Sequence, residues 1–147
     1  HRDRVVTLAA PFSAAPAELA RTEFRFGNLQ WTDKGVALLT ENDRTKRWTR
    51  TWVIDRPGAA PRKLWDRSAE DTYSHPGTAI RREGASGLDV IPQTGSTIFL
   101  AGTGASPQGD KPFLDALDLG LGREPDHHPV VALAAPASRF PPVVHAV

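Results

Sequence analysis

The chain has 147 residues, of which 39% are hydrophobic, a size and composition typical of one soluble globular domain. Lys and Arg number 18 and Asp and Glu number 17, so no strong basic field is present and nucleic acid is excluded as an expected partner. The absence of cysteine excludes disulfides and thiolate metal sites, and no apolar run reaches the roughly 18 residues of a membrane span. We therefore expect no membrane partner, and the composition does not identify the cellular compartment.

The N-terminal residues 1–27 combine an apolar run, 5–10, with Pro11 and Pro16. This pattern predicts an extended segment and a loop, and the best helical window, 14–21, allows at most a single turn because Pro16 interrupts it. The chain begins at His1 and contains no Met, so we expect that it is processed or a fragment.

From Asn28 onward, short β-type runs recur between turn signals, and 13 Pro and 12 Gly favour many turns over long helices. Gly35 is suited to a tight turn after the first run, since glycine adopts positive φ at little cost. The four runs of this first set are residues 28–31, 36–40, 49–54 and 62–65. Residues 28–67 therefore have the size of one four-stranded β-propeller blade.

A second, less regular set of β-type runs occupies residues 78–124, at 78–82, 97–101 and 113–119, and predicts an incomplete second blade. From Pro125 the chain turns into a mixture of Pro, Ala, Val and His without a clean period, and we expect this atypical tail, 125–147, to be poorly ordered. The predicted fold class is all-β, with antiparallel four-stranded blades of a partial propeller.

Ser106 lies in the motif closest to the G-x-S-x-G elbow of serine hydrolases, Gly-Ala-Ser-Pro-Gln at 104–108. Gln108 replaces the last glycine, and Pro107 and Pro112 preclude the helix that the elbow requires. A chance resemblance is the stronger interpretation of Ser106.

Gly102 and Gly104 follow an apolar strand, as the glycines of a dinucleotide-binding turn do. The third glycine is missing, Pro107 stands in its place, and no βαβ unit precedes the motif. A glycine-rich loop between two antiparallel strands is the preferred interpretation, and we expect no cofactor.

Two further groups offer catalytic or metal-binding atom types. Asp71, Ser74 and His75 are too close in sequence for a typical triad, and His-Pro-Gly at 75–77 indicates a polar turn. A metal site is also disfavoured in the C-terminal group, because adjacent histidines on an extended chain point to opposite faces. That group consists of Glu124, Asp126, His127 and His128. We expect no catalytic, cofactor or metal site in the chain.

Four tryptophans lie in the first predicted blade, and core packing is the default for them. The period of two sends Trp31 and Trp52 to buried faces, and Trp65 closes the last run. Only Trp48, beside the basic pair Lys46 and Arg47 in a predicted loop, is left free for a partner. The charged run 43–50 indicates a solvated hairpin tip.

Several segments together resemble one protein family. They are Phe-Arg-Phe-Gly-Asn-Leu-Gln-Trp at 24–31, Thr-Arg-Thr-Trp-Val-Ile at 49–54, Leu-Trp-Asp-Arg-Ser-Ala-Glu-Asp at 64–71, Tyr-Ser-His-Pro-Gly at 73–77 and Gly-Thr-Gly-Ala-Ser-Pro-Gln-Gly-Asp-Lys-Pro-Phe-Leu-Asp at 102–115. This order is similar to the glutamyl endopeptidase-like branch of the prolyl oligopeptidase family, over about residues 1–124.

The resemblance implies a β-propeller that covers a separate α/β-hydrolase domain and admits only peptides and unfolded segments. This chain resembles the propeller only, so no catalytic residue of the family is carried over to it. The implied role is non-catalytic gating or scaffolding, with the hydrolase domain and peptide substrate as partners and with self-association if the chain is isolated. The alternative is an autonomous module that binds a peptide or protein.

Overall fold

The computed structural model describes residues 2–120 and 131–132. Within these residues every regular element is a β-strand, no helix is present, and the strands pair antiparallel, so the all-β antiparallel class is confirmed. The strands are β1 Asp3–Thr7, β2 Ala17–Thr22, β3 Arg25–Trp31, β4 Ala37–Asp43, β5 Trp48–Ile54, β6 Arg62–Ser68, β7 Thr78–Ala79, β8 Arg82–Glu83, β9 Asp89–Val90, β10 Thr97–Gly102, β11 Phe113–Asp118 and β12 Val131–Ala132. Nowhere in this part of the chain does a helix occur that is long and apolar enough to cross a membrane.

The first sheet is a four-stranded meander in the order β3-β4-β5-β6, as the four predicted runs indicate. Gly35 turns the chain between β3 and β4 with φ of +82°, and Asp43 Oδ1 accepts backbone N–H bonds from Thr45 and Lys46 in the next turn. The charged run is therefore a hairpin tip, as predicted. β3 begins earlier than predicted, at Arg25, and a bulge at Gly27 leaves room for Asn42, whose Nδ2 lies 2.3 Å from where a Cβ would stand.

The N-terminal segment is a two-stranded antiparallel hairpin, β1-β2. The single helical turn considered for residues 14–21 is wrong, because Ala17–Thr22 is a strand. Its Leu19 and Ala20 are buried against the first sheet, and burial of these side chains decides the conformation where local propensity is weak.

The second sheet has the order β12-β11-β10-β7. The run predicted at 78–82 is wrong in extent, because strand β7 ends at Ala79 and the chain then forms a separate hairpin, β8-β9. Val131–Ala132 pair with β11 as β12. The rest of the tail 125–147 lies outside the described residues, and its poor order stays a prediction.

The first sheet is buried on both faces. On β4, Ala37 and Leu39 pack towards the N-terminal hairpin, whereas Leu38 packs towards the second sheet. All three are at most 4% exposed, and each buried leucine contributes about 2 kcal/mol. Hairpin, first sheet and second sheet therefore form three successive layers.

Two polar side chains link the sheets. Arg62 on β6 is buried and donates to Asp55 Oδ1 at 2.6 Å and to the Leu119 carbonyl oxygen at 2.9 Å. Asp33 accepts hydrogen bonds from the Gln93 backbone N–H at 3.0 Å and from Arg82 at 2.8 Å. The Arg62 bonds fix how the two four-stranded sheets lie against each other, because a buried charge without its partner is costly. The bonds of Asp33, which lies at the surface, tie the β3-β4 turn to the chain around the β8-β9 hairpin.

Candidate functional site

A cleft of about 710 Å³ opens between the two four-stranded sheets, and we call it the inter-sheet cleft. Its lining comes from β6, the 73–76 turn, Leu100 of β10 and the 104–115 segment. Leu64 and Leu100 are its buried residues, and the aromatic side chains of Trp65, Tyr73 and Phe113 line it. The site thus combines two buried leucines with the partly buried rings of Trp65 and Phe113 and the exposed ring of Tyr73.

Ser74 and His75 line one wall of the inter-sheet cleft, and Asp71 holds their turn from outside the lining. Asp71 accepts hydrogen bonds from the Ser74 hydroxyl and, at 3.1 Å, from the Ser74 backbone N–H. His75 Nδ1 accepts the Gly77 backbone N–H at 3.0 Å. Ser74 therefore bonds to the carboxylate and not to the imidazole, and this is the polar turn that the sequence indicates.

The same turn perturbs its titratable groups. The hydrogen bonds from Ser74 hold the pKa of Asp71 below its usual 3.8. His75 is exposed by area, yet the turn removes part of its hydration, and this desolvation, followed by the positive charge of Arg67, lowers the pKa of His75 below 6.5. With Nδ1 occupied as an acceptor, the neutral ring carries its proton on Nε2.

The glycine-rich loop forms the opposite wall. A Cβ on Gly102 would lie 2.3 Å from the Phe113 ring, and a Cβ on Gly104, where φ is +61°, would lie 1.9 Å from the Lys111 carbonyl oxygen. The glycines are therefore needed for the close packing of this loop. They join two antiparallel strands, as the preferred interpretation of the motif stated.

Ser106 lies in the same loop and stabilises it. Its hydroxyl donates to the Gly109 carbonyl oxygen at 2.6 Å and accepts the Gln108 backbone N–H at 3.3 Å. No helix follows it in residues 107–120. These contacts are those of a turn residue, and they favour the interpretation of the near-motif as a chance resemblance.

Trp48 is not in a loop and is not free. It is the first residue of β5, is half-buried, and its indole N–H donates to Asp66. Asp66 also accepts hydrogen bonds from Arg50 at 3.0 Å and from Lys63 at 2.7 Å. Partial burial acts to raise the pKa of Asp66, but the bonds from Lys63, Trp48 and Arg50 prevail and hold it at about 2.

The other three tryptophans lie on the faces of the first sheet, and a buried face was predicted for Trp31 and Trp52. Trp31 and Trp52 pack on the cluster beneath the N-terminal hairpin, and Trp65 packs on the cluster between the sheets. Each is only partly buried. Trp31 and Trp52 thus face a buried cluster as predicted, and their own burial is less complete than expected.

Residues 2–120 contain no group of three or more His, Asp or Glu side chains arranged to hold a metal ion. The predicted weak cluster of Glu124, Asp126, His127 and His128 lies outside the described residues. The absence of catalytic, cofactor and metal residues from the chain stays a prediction.

Sequence reasoning missed the inter-sheet cleft itself and one buried carboxylate. The cleft combines β6, the 73–76 turn and the 104–115 segment, which are far apart in the sequence. Glu41 is fully buried and accepts hydrogen bonds from the backbone N–H groups of Glu23 and Phe24 at 2.8 and 2.9 Å and from Trp52 at 3.0 Å. The alternation of side chains along a strand could have indicated the burial of Glu41, because Glu41 shares a face of β4 with Ala37 and Leu39.

Comparison with known proteins adds a relation to peptidases. The chain is 41% identical over 118 residues to a protein named probable glutamyl endopeptidase, chloroplastic, of Arabidopsis thaliana, with 74% of this chain and 12% of that protein covered. It is 40% identical over 114 residues to the protein of the same name in Oryza sativa subsp. japonica, covering 73% of this chain and 12% of that protein. No family model and no solved structure matches the chain. The chain thus spans about an eighth of the length of these relatives, both of which are named as peptidases.

Proposed function

We propose that the chain is a non-catalytic part of the β-propeller of a prolyl oligopeptidase-type serine peptidase. In this role it scaffolds the propeller and gates access to a hydrolase domain that lies outside these residues. The observation that carries the proposal is the stacking of three antiparallel layers, face to face and in chain order. Propeller blades pack in this manner around their axis.

The repeated topology supports the same proposal. Both four-stranded sheets are meanders when the β8-β9 hairpin is set aside, and the connection 69–77 runs from the last strand of the first sheet to the first strand of the second. The 44–47 turn, this connection and the 103–112 loop all lie at one end of the layers, since the registers of β4-β5, β5-β6 and β10-β11 place them there. We assign this loop end to the side that faces the hydrolase domain and the entering peptide.

The two outer faces of the stack differ in polarity, and a further blade packed on one of them would account for the difference. The hairpin presents Arg4, Glu18 and Arg21 to solvent beside Val6, which is 43% exposed, and Glu18 and Arg21 form an ion pair at 2.7 Å. The second sheet presents Phe99 and Leu114, which are 44% and 51% exposed, on its outer face. An exposed apolar sheet face requires cover, and in a propeller the next blade provides it.

The isolated chain should therefore associate through this face, and its molar mass by light scattering should exceed 16.0 kDa. Phe99→Lys and Leu114→Lys should each reduce the associated fraction at a given concentration. The matched control is Leu88→Lys, because Leu88 is 69% exposed on the separate β8-β9 hairpin. A monomeric, compact and cooperatively unfolding wild-type chain would contradict the incomplete-propeller proposal, and peptidase activity blocked by a serine-directed inhibitor would contradict the non-catalytic role.

A further inference from the structure

We infer that a second pocket, at the loop end of the layers, binds a phosphate group, either as the free ion or as the monoester of a small molecule. This pocket has a volume of about 190 Å³, and we call it the arginine pocket. Its lining includes Arg2, Phe24, Arg25, Asn42, Arg44 and Thr45. The inference concerns these residues alone, and it stands whether or not the chain belongs to a peptidase.

The first argument is that two arginines on one side of the pocket share a single carboxylate. Asp3 accepts a hydrogen bond from Arg25 at 3.1 Å and lies in the field of Arg2, and it also accepts the Phe26 backbone N–H at 2.7 Å. The Phe26 bond, and then the two arginines, hold the pKa of Asp3 below 3.8, so this carboxylate is charged at neutral pH. One negative charge therefore faces two positive charges on this side.

The β4-β5 turn adds a second positive charge in excess on the other side. Asp43, which also lines the pocket, pairs with Lys46 at 3.9 Å, whereas Arg44 forms no ion pair among residues 2–120. Glu70, beyond the turn, pairs with Arg47. Four cations around the pocket thus stand against two carboxylates, and two positive charges remain in excess whichever partner each carboxylate takes. A phosphomonoester dianion matches this excess.

The second argument is the hydrogen-bonding chemistry of the lining. Arginine presents a planar fork of N–H donors that matches phosphate oxygens, and the pocket collects three such forks from three separate segments of the chain. Asn42 and Thr45 add an amide and a hydroxyl that can donate to the same group. A phosphate group offers three acceptor oxygens in a tetrahedral arrangement, whereas a carboxylate offers two in a plane. Donors that converge from several directions therefore favour phosphate.

The third argument is that the backbone of the pocket is fixed by bonds that need no ligand. The Arg2 N–H donates to the Thr22 carbonyl oxygen at 2.8 Å, and the Phe24 N–H donates to the buried carboxylate of Glu41 at 2.9 Å. The two backbone bonds to Asp43 hold the β4-β5 turn. Binding then orders only the ends of the arginine side chains, which keeps its entropic cost small.

The test is phosphorus NMR of methyl phosphate, inorganic phosphate and dimethyl phosphate, each titrated with the full 147-residue chain at constant ionic strength and about pH 8. Methyl phosphate is a dianion at this pH, whereas dimethyl phosphate, of nearly the same size, is a monoanion. We expect methyl phosphate to bind about tenfold more tightly than dimethyl phosphate, because the diester lacks one charge and one acceptor oxygen. Tighter binding of methyl phosphate than of inorganic phosphate assigns the site to monoesters, and the reverse order assigns it to the free ion.

Two variants and a matched control locate the site. Arg44→Gln and Arg2→Gln should each weaken the binding of methyl phosphate by about tenfold, because each removes a charged donor. Arg56→Gln should leave binding unchanged, because Arg56 is an exposed arginine in the β5-β6 connection, outside the pocket. Circular dichroism confirms that each variant is folded. Equal binding of the monoester and the diester, equal effects of Arg44→Gln and Arg56→Gln, or the absence of saturable binding would overturn the inference.

Discussion

Glu41 is the side chain whose replacement tests the packing of the layers most directly. Its carboxylate is fully buried and receives three donors, two backbone N–H groups from the β2-β3 connection and the indole N–H of Trp52. It therefore ties the N-terminal hairpin to the first sheet. The amide of Glu41→Gln can accept through one oxygen only, and its NH₂ group must then face one of the existing donors.

The expected cost of Glu41→Gln follows from this inventory. One donor loses its acceptor in a buried position, and the remaining bonds lose their charged partner, which together lower the free energy of unfolding by about 2 to 3 kcal/mol. Trp52→Phe removes the indole N–H that the new NH₂ group would oppose. In the Trp52→Phe background, Glu41→Gln should therefore cost about 1 kcal/mol less than in the wild type.

The measurement is urea unfolding of the two single variants and the double variant, followed by tryptophan fluorescence and circular dichroism. The matched control is Glu70→Gln, because Glu70 is exposed and pairs with Arg47 at the surface, where the change should stay within about 0.5 kcal/mol. The reasoning is refuted if Glu41→Gln is as mild as Glu70→Gln, or if its cost is the same with and without the Trp52 indole.

Two further predictions concern the loop and the acid stability of the chain. Gly104→Ala should lower the free energy of unfolding by at least about 1 kcal/mol more than Gly95→Ala. Both glycines have φ near +60°, but only at Gly104 would a Cβ contact backbone atoms. Equal effects of the two changes in urea unfolding would contradict this, because they would show that the loop can move to accept the Cβ. The folded-state pKa of Asp66 is depressed from 3.8 to about 2, so its contribution is present above pH 3.8 and is lost as the pH falls towards 2. Asp66→Asn should therefore lower the free energy of unfolding by about 1 kcal/mol at pH 7, after allowance for solvent screening, and by much less at pH 2. A difference between the variant and the wild type that does not change with pH would contradict this.

The first sheet was predictable from the sequence because its strands alternate and its turns carry strong signals. Gly35 and Asp43 mark two of the three turns of this sheet, and its strands are long enough for the alternation of buried and exposed side chains to be recognised. The β8-β9 hairpin was not predictable in the same way. It has two residues per strand and rests on the turn in which Gly87 has φ of +75°, together with the contact of Arg82 with Asp33. Such a hairpin depends on tertiary contacts, which the local alternation of apolar and polar residues does not indicate.

The inter-sheet cleft depends on those tertiary contacts even more strongly. Trp65 and Arg67 lie at the end of a meander, His75 in a crossing turn and Lys111 in a later loop, and only the packing of the two sheets brings them together. Asp71, Ser74, His75 and Ser106 were considered for catalysis because their side chains are of the types that act as nucleophiles and bases. The structure uses their polar atoms to stabilise turns, and these turns hold the walls of the cleft in place.

The glycines at 102 and 104 illustrate why a motif must be judged by what surrounds it. In a dinucleotide-binding turn, glycines let the backbone approach a pyrophosphate at a helix N-terminus. Here the space beside Gly102 is filled by the Phe113 ring and that beside Gly104 by the Lys111 backbone, both supplied by the returning part of the same hairpin. The glycines thus bring Phe113 and Lys111 to the cleft.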